Sequence, residues 1–156
     1  MAIAQTLKKF LEEHGVDYQV VKHAHTPSAS RSAEAAHVPG DALAKAVVLE
    51  NAGEHLLAVL PATRRLKLGR LHQVLGEHVG LATEAEMSRL FPDCDRGAVP
   101  ALGAAYGLET LLDDSMSGQD QVYVEGGDHE SLIQMSGDAF RDLLGKVRHG
   151  DFSVHI

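Results

Sequence analysis

Two neighbouring apolar runs constrain the fold of this chain more than any other feature of its sequence. Residues 44–50 and 55–60 are rich in Ala, Val and Leu, and each has the length of a β-strand. The segment Asn51-Ala52-Gly53-Glu54 separates the runs and predicts a β-hairpin with a four-residue loop. Because neither run alternates with polar residues, we expect both strands to be buried on both faces.

Helices and further strands are predicted around this hairpin from apolar spacing, turn residues and capping signals. Five helices are expected: near residues 2–14 with a left-handed cap at Gly15, around Glu34, over 68–75, from the capping box of Thr83 and Glu86, and from Ser136 or Asp138. Further strands are expected at residues 18–20, 110–112, 121–125 and 132–135. Five Gly and Pro residues predict a loop over 92–107, and the mixture of elements indicates an α/β or α+β domain with a mixed sheet.

The length, charge and cysteine content limit the classes of function. The 156 residues have the size of one ordinary domain, which we expect to span residues 1–156. The formal net charge of −8 argues against nonspecific nucleic-acid binding, so we expect no DNA partner. No signal peptide and no apolar run near the ~20 residues of a membrane span are found, so we expect a cytoplasmic protein without a membrane partner. Cys94 lies between Asp93 and Asp95, whose charges disfavour a thiolate, and we expect it to be inert.

Lys45 is the least expected residue of the first apolar run. It shares one strand face with Val47 and Leu49, so a charged group stands among apolar neighbours. One interpretation is that its side chain reaches water at the sheet edge, because it lies near the start of the strand. The other is a positive charge at the mouth of a pocket, able to hold a phosphate or a substrate carbonyl.

Two glycine-containing loops are candidates for the walls of an active site. In residues 97–103 the small side chains would let backbone N–H groups approach a ligand or a developing oxyanion, although such a loop can equally be a tight connection. Residues 126–129 follow a predicted strand and present His129 beside Asp128 and Glu130. The histidine is either a polar contact or water-positioning group, or the exposed imidazole of a β-turn.

Histidine and basic residues offer two weaker candidate sites. His23 and His25 would point the same way on an extended strand, but no Cys pair or third-ligand motif accompanies them, so we expect no metal. One dense basic patch is either a contact for RNA phosphates or the solvated start of a helix. It consists of Arg64, Arg65, Lys67 and Arg70.

Together these segments resemble the YbaK and prolyl-tRNA synthetase-associated editing domains over nearly the whole chain. The resemblance rests on the sequence His-Gly-Val-Asp-Tyr after the first helix and on residues 23–36, 45–49, 57–61, 90–103 and 122–129. It implies an α/β (α+β) fold: a single YbaK-like domain in which helices surround a mixed, mostly antiparallel sheet. It also implies hydrolysis of the ester between an amino acid and the terminal adenosine of a mischarged tRNA, without metal, cofactor or covalent intermediate.

The resemblance also assigns roles to particular residues. It makes the lysine that opens the buried strand, Lys45, the central functional residue, and it makes residues 97–100 a substrate-cradling loop. Catalytic contributions are expected from Lys45, the amides of Gly97 and Ala98, and His129. Substrate contacts are expected from Val99, Pro100, Gly127, Tyr18 and Ser30.

The substrate and partners follow from the same resemblance. Alanine or cysteine on proline tRNA is the expected substrate, and the sequence of residues 97–100 favours alanine or another small residue. The expected partners are the 3′ end of a mischarged tRNA and, as a candidate, prolyl-tRNA synthetase. Two alternatives stay open: a non-catalytic module of the same fold that binds tRNA, a nucleotide or a synthetase, and a histidine-ligated metal hydrolase that would contain stoichiometric Zn²⁺.

Overall fold

A mixed β-sheet forms the centre of the molecule. The computed structural model describes residues 3–156, and within that range the strands are β1 (Gln19–Lys22), β2 (Leu43–Asn51), β3 (Glu54–Pro61), β4 (Arg64–Leu66), β5 (Gly80–Leu81), β6 (Glu109–Asp113), β7 (Gln121–Glu125), β8 (Ser131–Ser136), β9 (Arg148–Gly150) and β10 (Ser153–His155). The main sheet runs β1-β8-β7-β2-β3-β6-β9, with β5 beside β2, and β10 pairs with β4 separately. Five of the eight pairings are antiparallel, so the predicted α/β (α+β) class with a mostly antiparallel sheet is confirmed.

Three of the five described α-helices begin after a residue whose side chain accepts a backbone hydrogen bond from the first turn. The described α-helices are α1 (Gln5–Glu13), α2 (Ala29–Ala36), α3 (Leu68–Leu75), α4 (Glu84–Leu90) and α5 (Gly137–Leu144). Residue 2, the predicted start of the first helix, lies outside the described residues, whereas the left-handed Gly15 after its end is confirmed at φ +63°. The capping box of α4 is also confirmed, because Thr83 and Glu86 exchange side-chain to backbone hydrogen bonds of 3.0 and 3.1 Å. Ser136, rather than Asp138, caps α5.

The hairpin of β2 and β3 holds the middle of the sheet, but its loop is shorter than predicted. Asn51 pairs with Glu54, so the loop has two residues instead of four. Both loop residues, Ala52 and Gly53, have positive φ, as a type I′ turn requires. The expected burial on both faces holds for most of β3, whereas the centre of β2 around Lys45 is only partly buried.

Several short strands were not predicted from the sequence, and one of them changes the interpretation of the basic patch. Residues 64–66 do not start a helix: they form β4, which pairs with β10 so that Arg65 lies opposite Val154. The helix α3 begins only at Leu68. The interpretation of Arg64 and Arg65 as the solvated start of a helix is therefore wrong, whereas the helix predicted over 68–75 is confirmed.

The buried apolar residues form three clusters around the sheet. In the largest, Leu7 and Leu11 of α1 meet Phe140 of α5 and residues of the central strands. In the third, Ala33 of α2 packs against Leu43 and Leu132, which anchors α2 over the start of β2. None of the helices within residues 3–156 is long and apolar enough to cross a membrane.

Candidate functional site

A cavity of about 150 Å³ lies where four chain segments meet. These segments are the start of α2, the start of β2, the loop of residues 95–99, called here the Gly97 loop, and the turn of residues 126–130 between β7 and β8, called here the Gly127 turn. Its lining residues are Pro27, Ser28, Ala29, Ser32, Leu43, Ala44, Lys45, Ala46, Gly97, Val99, Glu125, His129 and Leu132. The structure thus brings together Lys45, Gly97, Val99 and His129, which the sequence placed in one site.

Lys45 enters this cavity from β2 with a half-buried side chain. Its register partner on β3 is Leu60, and its ammonium group donates a hydrogen bond of 3.5 Å to the carbonyl oxygen of Ala62. Burial lowers the pKa of Lys45, because the charged form loses hydration. The lysine therefore does not simply extend into bulk water, and among the described residues its one hydrogen-bond partner is a neutral acceptor at the limit of hydrogen-bond distance.

The Gly97 loop contributes backbone to the cavity. Gly97 has φ +78°, a left-handed conformation in which a side chain is strained, and its Cα faces the His129 ring. Within residues 3–156 its amide has no hydrogen-bond acceptor, whereas the Ala98 amide donates to the carbonyl of Asp95 at 2.9 Å. The expectation that both amides serve a substrate thus needs correction: the Ala98 amide is engaged inside the loop, and the Ala98 side chain is fully buried.

The Gly127 turn presents His129 in a left-handed conformation with φ +60°. Its imidazole Nε2 lies 2.6 Å from the carbonyl oxygen of Arg96. A carbonyl oxygen only accepts, so Nε2 carries the proton and donates this bond. Gly127 is buried with φ +116°, and an added Cβ would lie 3.0 Å from the Ala4 side chain. It serves the packing of the turn and does not line the cavity.

Besides Gly127, three of the expected substrate contacts do not line this cavity. Tyr18 lines a separate groove of about 770 Å³ beside Ser136, at the opposite end of β7 and β8, so its predicted substrate contact is not in this cavity. Pro100 is buried behind the Gly97 loop and does not line the cavity either. Ser30 lies just outside, but its hydroxyl donates 3.1 Å to the Ala62 carbonyl, the same oxygen that accepts from Lys45.

Glu125 is a cavity residue that the sequence did not single out. Its carboxylate oxygen Oε2 accepts the backbone amides of Gly127, Asp128 and His129 at 2.8, 3.2 and 3.2 Å. The available signal was an acidic residue at the end of a strand directly before Gly-Gly. That pattern marks a turn whose amides need an acceptor.

The basic patch lies on β4 and the start of α3, a few residues beyond Ala62. Two of its members are held by the C-terminal strand: Arg64 donates to the Ser153 hydroxyl at 2.7 Å, and Arg70 donates to the Ser153 carbonyl at 3.1 Å. Arg65 is exposed, and Lys67 is partly exposed. Only part of the patch is therefore free to meet a ligand.

The remaining titratable candidates show no catalytic arrangement. Within the described part of the chain, no group of three or more His, Cys, Asp or Glu side chains could hold a metal ion. The His25 ring packs against the His129 ring at 5.3 Å between centroids. Burial, with a smaller contribution from the Asp93 charge, raises the pKa of Cys94 to about 12, which confirms the expected suppression of its thiolate.

The fold and the cavity define an α/β domain whose pocket combines a half-buried lysine with glycine-rich backbone. The family model of the aminoacyl-tRNA editing domain matches residues 23–143. The chain therefore belongs to the aminoacyl-tRNA editing domain family, as the sequence resemblance implied. No curated protein matches the sequence.

Solved structures with the same fold extend over nearly the whole chain. A protein described as a candidate trans-editing enzyme for prolyl-tRNA synthetase is similar with a TM-score of 0.83 and 24% identity, over 96% of each chain. A structure from work on grafting linear epitopes onto scaffold proteins has a TM-score of 0.83 and 20% identity, over 97% of each chain. A candidate signal transduction protein from Marinobacter aquaeolei VT8 has a TM-score of 0.77 and 20% identity, over 96% of this chain and 30% of that one. At these identities the likeness concerns the fold alone.

Proposed function

We propose that this chain is a trans-editing aminoacyl-tRNA deacylase, which hydrolyses the ester of a mischarged tRNA. The observation that carries the proposal is the shared cavity of Lys45, Gly97 and His129 in a chain of the editing family. The half-buried ammonium group makes one hydrogen bond within residues 3–156, to a carbonyl oxygen at 3.5 Å, and it can exchange that bond for one to a phosphate or hydroxyl oxygen. We assign Lys45 to the terminal adenosine or its phosphate.

The reaction needs little chemical assistance from the protein. A water oxygen attacks the ester carbonyl carbon, and the bond from that carbon to the ribose oxygen breaks. The ribose oxygen takes the proton that the attacking water loses. An aminoacyl ester is already activated, so orienting the water and stabilising the oxyanion should suffice. The Gly97 amide, which lacks an acceptor within residues 3–156, is our candidate oxyanion donor, and the neighbouring ribose hydroxyl of the substrate helps to orient the water.

The cavity volume favours a small amino acid. An apolar protein cavity of about 150 Å³ is known to admit a ligand the size of benzene. The cavity here has the same volume, so it has room for a small aminoacyl group but not for the whole aminoacyl-adenosine. We propose alanine or cysteine on proline tRNA as the substrate, with alanine favoured and the adenosine at the cavity mouth. A synthetase distinguishes amino acids that differ by one methylene by only about 1–3 kcal/mol, which explains why a second check is useful.

The partners follow from this assignment. The 3′ end of the tRNA enters the cavity, and the exposed Arg65 with Lys67 is the candidate phosphate contact. Prolyl-tRNA synthetase is the proposed protein partner. The reaction takes place in the cytoplasm, where tRNA is charged.

The test is ester hydrolysis on a panel of aminoacyl-tRNAs that includes Ala-tRNA(Pro) and Cys-tRNA(Pro). We expect the wild-type protein to release alanine, Lys45→Ala to lose activity, and the exposed control Lys146→Ala to retain it. A folded Lys45→Ala variant with near-normal turnover would refute the role of the lysine. Binding of tRNA without hydrolysis of any ester would instead identify a non-catalytic module.

A further inference from the structure

We infer that Glu125 is a positioning residue, which holds two walls of the Lys45 cavity in place through the Gly127 turn. The inference rests on the proposed function for its effect on hydrolysis, whereas its structural part stands on hydrogen bonds alone. Glu125 itself lines the cavity at the end of β7 and is half-buried. It would act through other residues, not as a group that reacts with the ester.

The Gly127 turn depends on the Glu125 carboxylate for its conformation. One oxygen accepts three successive amides, those of Gly127, Asp128 and His129, at 2.8 to 3.2 Å. Three amides that point to one side produce a concave backbone, and an anionic acceptor suits such a concave backbone. His129 has a left-handed conformation with φ +60°. This conformation costs a non-glycine residue energy and persists only where the surrounding structure enforces it. The carboxylate supplies that enforcement.

One wall of the cavity, the Gly97 loop, is attached to this turn at two points. The Asp95 amide donates to the Gly127 carbonyl at 2.8 Å, and the His129 ring donates to the Arg96 carbonyl at 2.6 Å. The second bond fixes the plane of the peptide that contains the Gly97 amide, because the C=O of Arg96 and the N–H of Gly97 belong to one rigid unit. The direction of the proposed oxyanion donor is therefore set by His129, and the position of His129 is set by Glu125.

The other wall, the segment before α2, is attached to the same turn. The Thr26 amide donates to the His129 carbonyl at 3.2 Å, and the His23 amide donates to the Glu130 carbonyl at 2.9 Å. Thr26 then leads through a buried hydroxyl contact to Ser32, which lines the cavity. A single carboxylate thus connects both walls, although along the chain the Gly97 loop lies about 26–30 residues from Glu125 and the segment before α2 lies about 100 residues from it.

The experiment compares Glu125→Ala, Glu125→Gln and the matched control Glu130→Ala. Glutamine keeps an oxygen acceptor for the three amides, alanine does not, and the Glu130 side chain has no hydrogen-bond partner within residues 3–156 although it lies in the same turn. Hydrolysis of Ala-tRNA(Pro) should lose about 10- to 100-fold in kcat with little change in KM in Glu125→Ala, because misplaced groups impair the reaction more than binding. Glu125→Gln should stay within about threefold of wild type, and Glu130→Ala should be unchanged.

A second measurement, amide hydrogen exchange, separates this inference from the proposed function, because it needs no substrate. The Asp95 and Thr26 amides, which never touch Glu125, should exchange at least about tenfold faster in Glu125→Ala and normally in Glu125→Gln. Unchanged exchange at both amides in a folded Glu125→Ala variant overturns the inference, whatever the enzyme assays give. Equal loss of kcat in the Gln and Ala variants also overturns it, since the negative charge and not the acceptor would then matter. If Glu125→Ala does not fold, the Gln variant with normal exchange and normal kcat supports the role of the acceptor.

Discussion

Replacing Gly97 by alanine tests whether the backbone conformation of the Gly97 loop shapes the cavity. Gly97 has φ +78°, where an L-residue costs roughly 1–2 kcal/mol more than glycine. Space is not limiting, because an added Cβ would lie 3.8 Å from the His129 ring, an ordinary van der Waals distance. The strain alone should lower the free energy of unfolding by about 1 kcal/mol and the Tm by roughly 2–4 °C for a chain of this size.

The effect on hydrolysis should exceed what this small loss of stability explains. The loop can relieve the strain by rotating φ, and that rotation turns the Gly97 amide away from the position fixed by His129. We expect Gly97→Ala to lose about 10- to 100-fold in kcat for Ala-tRNA(Pro). The matched control is Gly53→Ala in the hairpin loop, where φ is +87° and an added Cβ meets nothing within 4 Å. Equal loss of Tm in both variants together with full activity of Gly97→Ala would refute the reasoning.

Three further predictions concern stability and reactivity. Burial lowers the pKa of Lys45 below its ordinary value of 10.5, so the folded protein binds that proton less tightly than the unfolded chain does. The charged lysine therefore does not stabilise the fold at pH 7. The Lys45→Met variant should be inactive, yet it should resist urea unfolding at pH 7 at least as well as the wild type. Burial alone would raise the pKa of Asp113, but hydrogen bonds from Ser115, Phe152 and Ser153 together hold this pKa below its ordinary value. The Asp113→Ala variant should therefore lose about 1–3 kcal/mol of unfolding free energy, measured by urea titration at pH 7. That stabilisation is present above the ordinary value of 3.8 and disappears as the pH falls through the lowered pKa, so the two proteins should converge in acid. Burial is the main reason why the pKa of the Cys94 thiol is raised to about 12, so this thiol should react slowly with iodoacetamide at pH 8 in the folded protein and rapidly in urea. The Cys94→Ala variant should keep full deacylation activity. Rapid labelling of the folded protein would contradict this prediction.

The parts of the fold that could be predicted are those with local signals. The capping box of α4 and the strand at residues 121–125 follow from a few adjacent residues, and both are confirmed. The strands β4 and β10 have three residues each, too few to show a periodicity, and they exist because Leu66 and Ser153 meet across the chain. The two-residue hairpin loop was missed because Ala52 occupies a left-handed position that usually takes Gly or Asn.

The candidate site could be predicted only where one residue stood out from its neighbours. Lys45 was conspicuous because it interrupts an apolar strand, and the structure places it beside Gly97 and His129. Glu125 could not be predicted as a site residue, because its role depends on three backbone amides that point in a common direction only in the folded turn. Tyr18 was misplaced because strand register decides its surroundings: Gln19 pairs with Gln134, whereas the cavity lies at the far end of β8 near Leu132.

The charge of the chain limits how it can engage tRNA. Each phosphate neutralised on duplex nucleic acid contributes about 0.9 to the slope of log affinity against log salt. Of the four residues of the basic patch, Arg64 and Arg70 are held by Ser153, which leaves two side chains for phosphates. In a chain of net charge −8, we therefore expect about two phosphate contacts from this patch and a salt slope near 2. Affinity from phosphates should therefore be modest, and discrimination should come from the cavity. A bound synthetase would raise the effective concentration of tRNA at the site without any new contact to this chain, which gives the proposed partner a physical role.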